Sequence, residues 1–272
     1  MSKKSSGPGV KGKSERRTHE GFASRWLGNS RTLTVHLPPG YVRDVARRYP
    51  VLYLHDGQNV FDDARAAFGT SWKAGETADR LALEGRIRPA ILVGIDNTPD
   101  RLDEYGPWPE PSQVAGGRAS EHGRFVLEEV KPFIDRTYRT LPGRAHTAVA
   151  GSSMGGLASL ALARANPDRV GMCAVMSPAL WWARGRMLDE LEEDSEWMRR
   201  VRFWVCMGTR EGKGRGHVST HLERTRRLVE LFDGAGLVPG RDYCYWEVAG
   251  GRHDEAAWAA RFDKVLLYFF GW

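Results

Sequence analysis

Ser153 is the residue of this sequence with the clearest capacity for chemistry, because it is the central residue of a Gly-x-Ser-x-Gly run at 151–155. Apolar residues precede the run at 147–150, and a segment with helical spacing follows at 157–164. Strand, sharp turn and helix in that order form a nucleophile elbow, which exposes the serine hydroxyl at the carboxyl end of the strand. The pattern predicts that Ser153 is a catalytic nucleophile.

A serine nucleophile requires a base that removes its proton and an acid that orients the base. Where an elbow supplies the serine, the acid and then the histidine follow it along the chain. His253 comes after the last strand-like segment and two glycines, just before a C-terminal helical segment, so it is the predicted base. His217 and His221 also follow Ser153, but they lie in an arginine-rich helix start and are interpreted as solvated.

The orienting acid should follow the strand-like segment at 201–207. Glu211 is the best placed carboxylate there, and Asp233 and Asp242 are the alternatives. Asp254 is interpreted as the N-cap of the last helix. A carboxylate beside the base would hold the required tautomer of the imidazole and stabilise its charged form.

Two backbone amides are expected to bind the oxyanion that forms during acyl transfer. One is the amide of Met154, directly after the nucleophile, and the other is the amide of Gln58, in the loop after the strand-like segment at 51–54. The alternative for this loop is a metal site, with the candidate ligands His55, Asp56, Asp62 and Asp63. That site is disfavoured because the adjacent His55 and Asp56 point to opposite sides of an extended chain.

Segments with strand and helix patterns alternate along most of the chain. Strands are predicted at 31–36, 51–54, 91–95, 147–150, 172–176, 201–207 and 243–248, and helices at 77–83, 125–134, 157–164, 187–198, 222–232 and 255–270. This alternation predicts the α/β class, with a mostly parallel, doubly wound sheet whose site lies beyond the carboxyl ends of the strands. Residues 21–272 are expected to form one domain, with residues 98–119 as a long loop near the site.

The charge and composition of the chain indicate which classes of binding partner to expect. The 272 residues carry a net charge of +6, and residues 1–17, with six Lys or Arg and one Glu, account for five of those charges. Residues 1–20 are therefore predicted to be a disordered basic tail, because they have almost no apolar residues that could pack. The body is nearly neutral, so no nucleic-acid partner is expected.

The compartment is predicted from missing signals. No apolar run approaches the ~20 residues that span a bilayer, and the N-terminus lacks the apolar segment of a secretory signal. No membrane partner and a cytoplasmic location are therefore expected. Cys173, Cys206 and Cys244 lie in strand-like segments without a metal-binding spacing, which predicts reduced, buried thiols.

Four segments together resemble the esterase D-like family of α/β-hydrolases, which includes enterochelin-type siderophore esterases, feruloyl esterases and mycolyltransferases. These segments are residues 51–59, 93–97, 151–156 and 250–254 with Trp258, and their order and spacing cover roughly residues 30–272. The resemblance implies an α/β-hydrolase fold without a large lid, and no metal or organic cofactor. It also implies Ser153 as nucleophile, His253 as base, and the amides of Gln58 and Met154 as the oxyanion hole.

The same resemblance does not determine which residue is the acid that orients the base. Glu211 matches the acid position of the family, but some siderophore esterases of the family work with a serine–histidine dyad. Glu211, Asp233, Asp242 and a dyad without an acid all remain alternatives at this point.

Side chains near the expected site are candidates for substrate contacts. They are Phe61, Trp72, Arg101, Tyr105, Trp181 and Trp182, with Trp108 and Glu104 in the same segments. Aromatic rings could stack on a catecholate, feruloyl or sugar ring, and ordinary packing under loops is the alternative. Arg101 and Glu104 could bind polar substrate groups or be solvated.

The expected activity is hydrolysis of a small-molecule carboxylic ester through an acyl-enzyme, with siderophore-type or aryl esters as the preferred class. The alternatives are an acyltransferase that uses the same acyl-enzyme and a binding protein without catalysis. None of the motifs determines the oligomeric state.

Overall fold

One sheet of eight strands organises the protein, for which a computed structural model describes residues 10–212 and 219–272. The strands of this sheet are β1 (Glu15–Ala23), β2 (Ser30–Leu37), β3 (Val51–His55), β4 (Ile91–Ile95), β7 (Thr147–Ser152), β8 (Met172–Met176), β9 (Arg202–Gly208) and β10 (Tyr243–Val248). A separate two-stranded hairpin consists of β5 (Pro109–Glu110) and β6 (Ala115–Gly116).

The strand order across the sheet is β1-β2-β4-β3-β7-β8-β9-β10. From β4 to β10 every neighbouring pair is parallel, whereas β1 pairs with β2, and β2 with β4, in antiparallel fashion. The central strands β3, β4, β7 and β8 are buried along their whole length. Burial on both faces explains why these strands read as continuous apolar runs and not as alternating patterns.

Helices cover both faces of the sheet. They are α1 (Ala74–Leu83), α2 (Arg101–Tyr105), α3 (Ala119–Arg124), α4 (Lys131–Thr137), α5 (Met154–Ala165), α6 (Arg186–Glu193), α7 (Thr220–Gly234) and α8 (Glu255–Phe270). Side chains of α1 and α8 form the apolar core on one face, and side chains of α4 to α7 belong to the core on the other. The predicted doubly wound α/β architecture is confirmed.

Three predicted segments differ from the structure. The helix predicted at 187–198 is divided into α6 and a 3-10 turn at Glu196–Arg200, because the chain is extended at Asp194. A π-helical segment at Phe125–Val130 joins α3 directly to α4, and Pro132 is the second residue of α4. Residues 98–119 contain α2 and the β5–β6 hairpin instead of one long loop.

The predicted disordered tail is wrong for residues 15–20, which belong to β1. These residues pair with β2 through a register that runs from Glu15 opposite Leu37 to Ala23 opposite Ser30. Backbone hydrogen bonds stabilise this strand, and its charged side chains suit an edge that faces solvent. Composition alone misses such a strand because its side chains contribute little to the core.

Two of the three cysteines are buried as predicted, Cys173 and Cys206, whereas Cys244 is half-buried; all three are free thiols. Burial raises the pKa of the Cys206 thiol to about 11. Within residues 10–212 and 219–272, the structure has no helix with the length and apolarity needed to cross a bilayer.

Candidate active site

Ser153 occupies the predicted turn between β7 and α5. Its φ of 55° and ψ of −122° are strained for a residue with a side chain. Two backbone hydrogen bonds hold this conformation, from the Ser153 amide to the Met176 carbonyl at 2.9 Å and from the Ala179 amide to the Ser153 carbonyl at 3.0 Å. A side chain at Gly151 would collide with the backbone of Gly155, so the glycines allow the strand and helix to cross closely.

His253 lies beside the serine hydroxyl, in the loop between β10 and α8. Its Nε2 is 3.0 Å from Ser153 Oγ, and its Nδ1 is 2.8 Å from Glu211 Oε2. The indole of Trp258 meets the imidazole edge-on, with ring centroids 4.9 Å apart. The three side chains predicted as nucleophile, base and acid therefore form one hydrogen-bonded chain.

Glu211 is buried behind the histidine, just after β9. Its Oε1 accepts hydrogen bonds from Ser177 Oγ and from the Gly208 amide, each at 2.7 Å, which leaves Oε2 directed at His253. The contact between Glu211 Oε2 and His253 Nδ1 favours the tautomer in which Nδ1 carries the proton, so that Nε2 can accept a proton from the serine. This is the alignment that a general base requires.

The alternative acids and histidines lie elsewhere. Asp233 accepts a hydrogen bond from Tyr243, and Asp242 pairs with Arg241. His221 is half-buried in α7, where burial lowers its pKa, and His217 lies outside the described residues. Asp254 caps α8 by accepting the Ala257 amide at 2.8 Å, as predicted.

The two amides predicted for the oxyanion hole are unengaged among the described residues. Met154 begins α5, so its amide has no partner one turn earlier in the helix, and the amide of Gln58 donates to no described group. The side chain of Gln58 fixes the position of this residue, because its Oε1 accepts a hydrogen bond from the Asn97 amide at 3.1 Å. Gly57 lies so close to β4 that a Cβ there would be 2.5 Å from the carbonyl carbon of Gly94.

Asp56 fixes the start of the Gln58 loop. Its backbone is left-handed, with φ 56° and ψ 48°, although it is not a glycine. Its carboxylate accepts two hydrogen bonds from Arg101, at 2.7 and 2.8 Å, and one from Asn97 Nδ2 at 2.6 Å. These contacts, the Arg101 ion pair above all, lower the pKa of Asp56 against the opposing effect of burial.

A cavity of about 690 Å³ opens above Ser153. Its wall includes His253, Gln58, Asn59, Phe68, Asn97, Arg101, Glu255 and Trp258. This volume suits a small organic ligand, and the wall combines apolar rings with a few polar groups, as ligand sites usually do.

Most of the aromatic side chains predicted to contact substrate do not reach this cavity. Phe61, Trp72, Tyr105 and Trp182 are at most 3% exposed and belong to the core. Tyr105 accepts the Asp56 amide, and Trp182 donates to the carbonyl of Trp108. The prediction is wrong for these four because a large ring gains more from burial between loop and sheet than from a position at the rim.

Of the other side chains predicted to contact substrate, only Arg101 lines the cavity. Trp181 packs on Trp182 and lies outside the cavity wall. Glu104 is neither solvated nor available to substrate, since it forms a buried ion pair with Arg31 at 2.8 Å. Arg101 lines the cavity as predicted, although its guanidinium is engaged by Asp56.

Sequence reasoning missed Phe68, Asn59 and Glu255. Phe68 is 81% exposed at the cavity rim, and no pattern in the sequence marks it. Glu255 accepts hydrogen bonds from Asn59 Nδ2 at 2.9 Å and from Trp72 Nε1 at 2.5 Å. Burial, reinforced by the nearby Asp56 carboxylate, raises the pKa of Glu255 to about 7. Its position two residues after His253 was the available signal.

Comparisons with known proteins agree with this geometry. The uncharacterized protein YbbA of Bacillus subtilis (strain 168) is 22% identical over 258 residues, which cover 93% of this chain and 97% of that protein. The iron(III) salmochelin esterase of Escherichia coli O6:H1 is 26% identical over 236 residues, 82% of this chain and 53% of the relative, so the chain spans about half of that protein.

Solved structures share the fold. A ferulic acid esterase superposes with a TM-score of 0.74 at 21% identity, over 96% of this chain and 98% of the other. The enterobactin esterase of Shigella flexneri superposes with a TM-score of 0.71 at 19% identity, over 97% of this chain and 60% of the other. The fold is that of the α/β-hydrolases. The model of the family described as "Putative esterase" matches residues 24–269, and the chain belongs to that family.

Proposed function

We propose that this protein hydrolyses carboxylic esters through an acyl-enzyme formed on Ser153. Ser153 Oγ attacks the ester carbonyl while His253 Nε2 takes its proton, and the C–O bond to the alcohol breaks as His253 returns that proton to the leaving oxygen. Water then attacks the acyl-enzyme with His253 as base, and the carboxylic acid departs as Ser153 recovers its proton.

The observation that carries this proposal is the continuous hydrogen-bonded chain from Glu211 through His253 to Ser153 at the base of an open cavity. The amides of Gln58 and Met154 are assigned to the oxyanion. One such donor contributes ~2.7–4 kcal/mol to the transition state.

For the substrate we propose an aryl or siderophore-type ester. Two features support this class. Relatives of the chain include a salmochelin esterase and an endo-1,4-beta-xylanase/feruloyl esterase. The cavity also presents the rings of Phe68 and Trp258 beside the polar Asp56–Arg101 ion pair, a combination suited to an aromatic group with polar substituents.

The acyl-enzyme can be trapped directly. Rapid acid quenching during p-nitrophenyl butyrate turnover, followed by peptide mass spectrometry, should locate one butyryl group on Ser153. Ser152→Ala is the matched control, because Ser152 is the neighbouring serine of the motif and has no assigned role; it should still acylate. Acylation at another residue, or turnover without acylation, would contradict the mechanism.

Substrate class is tested by comparing kcat/KM for feruloyl esters and for a catecholate trilactone with that for p-nitrophenyl acetate. We expect at least one aryl substrate to be preferred by about tenfold or more, the scale of a few well-placed contacts. A preference for simple acetyl esters would refute the assignment. Added acceptor alcohols test the transferase alternative, since transfer products that outcompete free acid would identify an acyltransferase.

A further inference from the structure

Arg261 is a buried cation behind the candidate site, and the mechanism above gives it no role. It lies in α8, two turns after His253, and is 2% exposed. Burial of a charged group is costly unless a partner of opposite charge and hydrogen bonds compensate it. The location of its partner therefore indicates what the charge does.

The partner of Arg261 is Glu211. Its Nη1 lies 3.4 Å from Glu211 Oε1 and 3.4 Å from Ser177 Oγ, and its Nη2 lies 3.4 Å from the Arg252 carbonyl. One face of α8 thus holds the end of the carboxylate that is turned away from the histidine. Trp258, one turn earlier on that face, donates to Ser177 Oγ at 3.0 Å.

Two glycines leave room for this arrangement. A Cβ at Gly251 would collide with Arg261 Nη2, and a Cβ at Gly208 would lie 2.6 Å from Glu211 Oε1. Both glycines belong to the segments that carry the triad, since Gly208 ends β9 before Glu211 and Gly251 precedes His253. The backbone around the acid is therefore shaped to admit a guanidinium.

We propose that Arg261 is a positioning residue that holds the Oε1 end of the buried Glu211 carboxylate and so directs its Oε2 at His253. This inference rests on the proposed function. Removal of one partner from a buried ion pair leaves the other without compensation, so loss of the guanidinium should disturb the alignment of Glu211 with His253. A misaligned Glu211 could no longer stabilise the charged imidazole.

Few other titratable groups face Glu211 among the described residues. His253 is its partner, and Cys206 on β9 has a thiol pKa raised by burial, so it stays neutral near pH 7. His221 on α7 is close enough for a weak effect and has a pKa lowered by burial. Among the described residues, Arg261 is therefore the cation whose removal should change the alignment of the Glu211 carboxylate.

The test compares pH profiles of kcat for p-nitrophenyl acetate. Arg261→Met and Arg261→Gln remove the charge, Arg261→Lys keeps it, and Lys264→Met removes a half-exposed charge from the same helix as the control. Both neutral variants should lose about tenfold or more in kcat, because the imidazolium loses its aligned carboxylate. Arg261→Lys should keep most of the wild-type profile, and KM should change little because Arg261 does not line the cavity.

Two results would overturn the proposal. One is a neutral variant, shown to be folded by circular dichroism, whose profile superimposes on wild type. The other is an equal loss in Arg261→Lys and Arg261→Met at every pH, which would indicate packing alone. The low-field NMR signal of the imidazole proton shared by His253 and Glu211 reports the same bond without turnover. An inactive wild type would refute the esterase function, whereas loss of this NMR signal in folded Arg261→Gln would still support the role of Arg261, and an unchanged signal would contradict it.

Discussion

Replacement of Glu211 by glutamine separates a serine–acid–histidine triad from a serine–histidine dyad. Glu211 directs one oxygen at His253 Nδ1, 2.8 Å away, and the other at Ser177 and the Gly208 amide. Glutamine has nearly the same shape, so the surrounding packing should persist. It has no charge, however, and its NH₂ group can face Nδ1 and favour the wrong imidazole tautomer.

The expected loss in kcat is large. Substitution of the acid in a functioning triad lowers kcat by about 10⁴, which corresponds to about 5.4 kcal/mol of transition-state stabilisation. Stability should fall as well, because Arg261 would be left as a buried charge without its carboxylate. Breaking a buried pair costs ~3–5 kcal/mol, and the 3.4 Å separation places this pair near the lower end of that range.

Both quantities are measurable on one preparation. Steady-state hydrolysis of p-nitrophenyl acetate gives kcat, and urea denaturation gives the free energy of unfolding. Glu247→Gln is the matched control, since Glu247 is a half-exposed glutamate on β10 that pairs with Arg226, and kcat should be unchanged there. A loss in kcat of less than about tenfold for folded Glu211→Gln would refute the triad and leave a dyad.

Three further predictions concern the other side of the cavity. Arg101→Gln should lower kcat by about 10–100-fold, because Asp56 loses the ion pair that fixes the Gln58 loop. Arg186→Gln, at an exposed position of α6, is the kinetic control. Gly57→Ala should abolish activity or lower the melting temperature in a thermal unfolding scan, since its Cβ would strike β4, and wild-type values in both assays would contradict the geometry. The raised pKa of Glu255 means that the folded protein keeps a proton that the unfolded chain releases between pH 4.5 and about 7, so this group lowers the free energy of unfolding as pH rises through that interval. The stability of Glu255→Gln relative to wild type should therefore increase from the acid to the neutral end of that interval in urea denaturation, and a constant difference would show that Glu255 does not titrate there.

The parts of the fold and site that the sequence predicts well are those with strong local patterns. The strands β4 and β8 and the helix α8 have the predicted bounds, because continuous apolar runs and a clear helical period mark buried elements. The edge strand β10 also has the predicted bounds, although most of its residues are only partly buried. Ser153 and His253 are identifiable because each follows a strand and has nearby glycines that a sharp turn or close contact requires.

The remaining features depend on contacts between distant segments. The strand β1 is stabilised by backbone pairing with β2, and the pattern of its side chains does not predict this pairing. Trp72 lies in a segment that is expected near the site, yet its indole is buried and donates to Glu255, 183 residues later in the chain. Arg261 resembles any helical arginine in the sequence, and only the folded structure places its guanidinium beside Glu211.

The most direct test of the central claim is the reaction of a fluorophosphonate probe with wild type and Ser153→Ala, run in parallel with p-nitrophenyl acetate hydrolysis. The account predicts stoichiometric labelling of wild type at Ser153 with complete loss of activity, and neither labelling nor activity above background in folded Ser153→Ala. Wild-type hydrolysis in Ser153→Ala, or a folded wild type that neither labels nor hydrolyses esters, would contradict it.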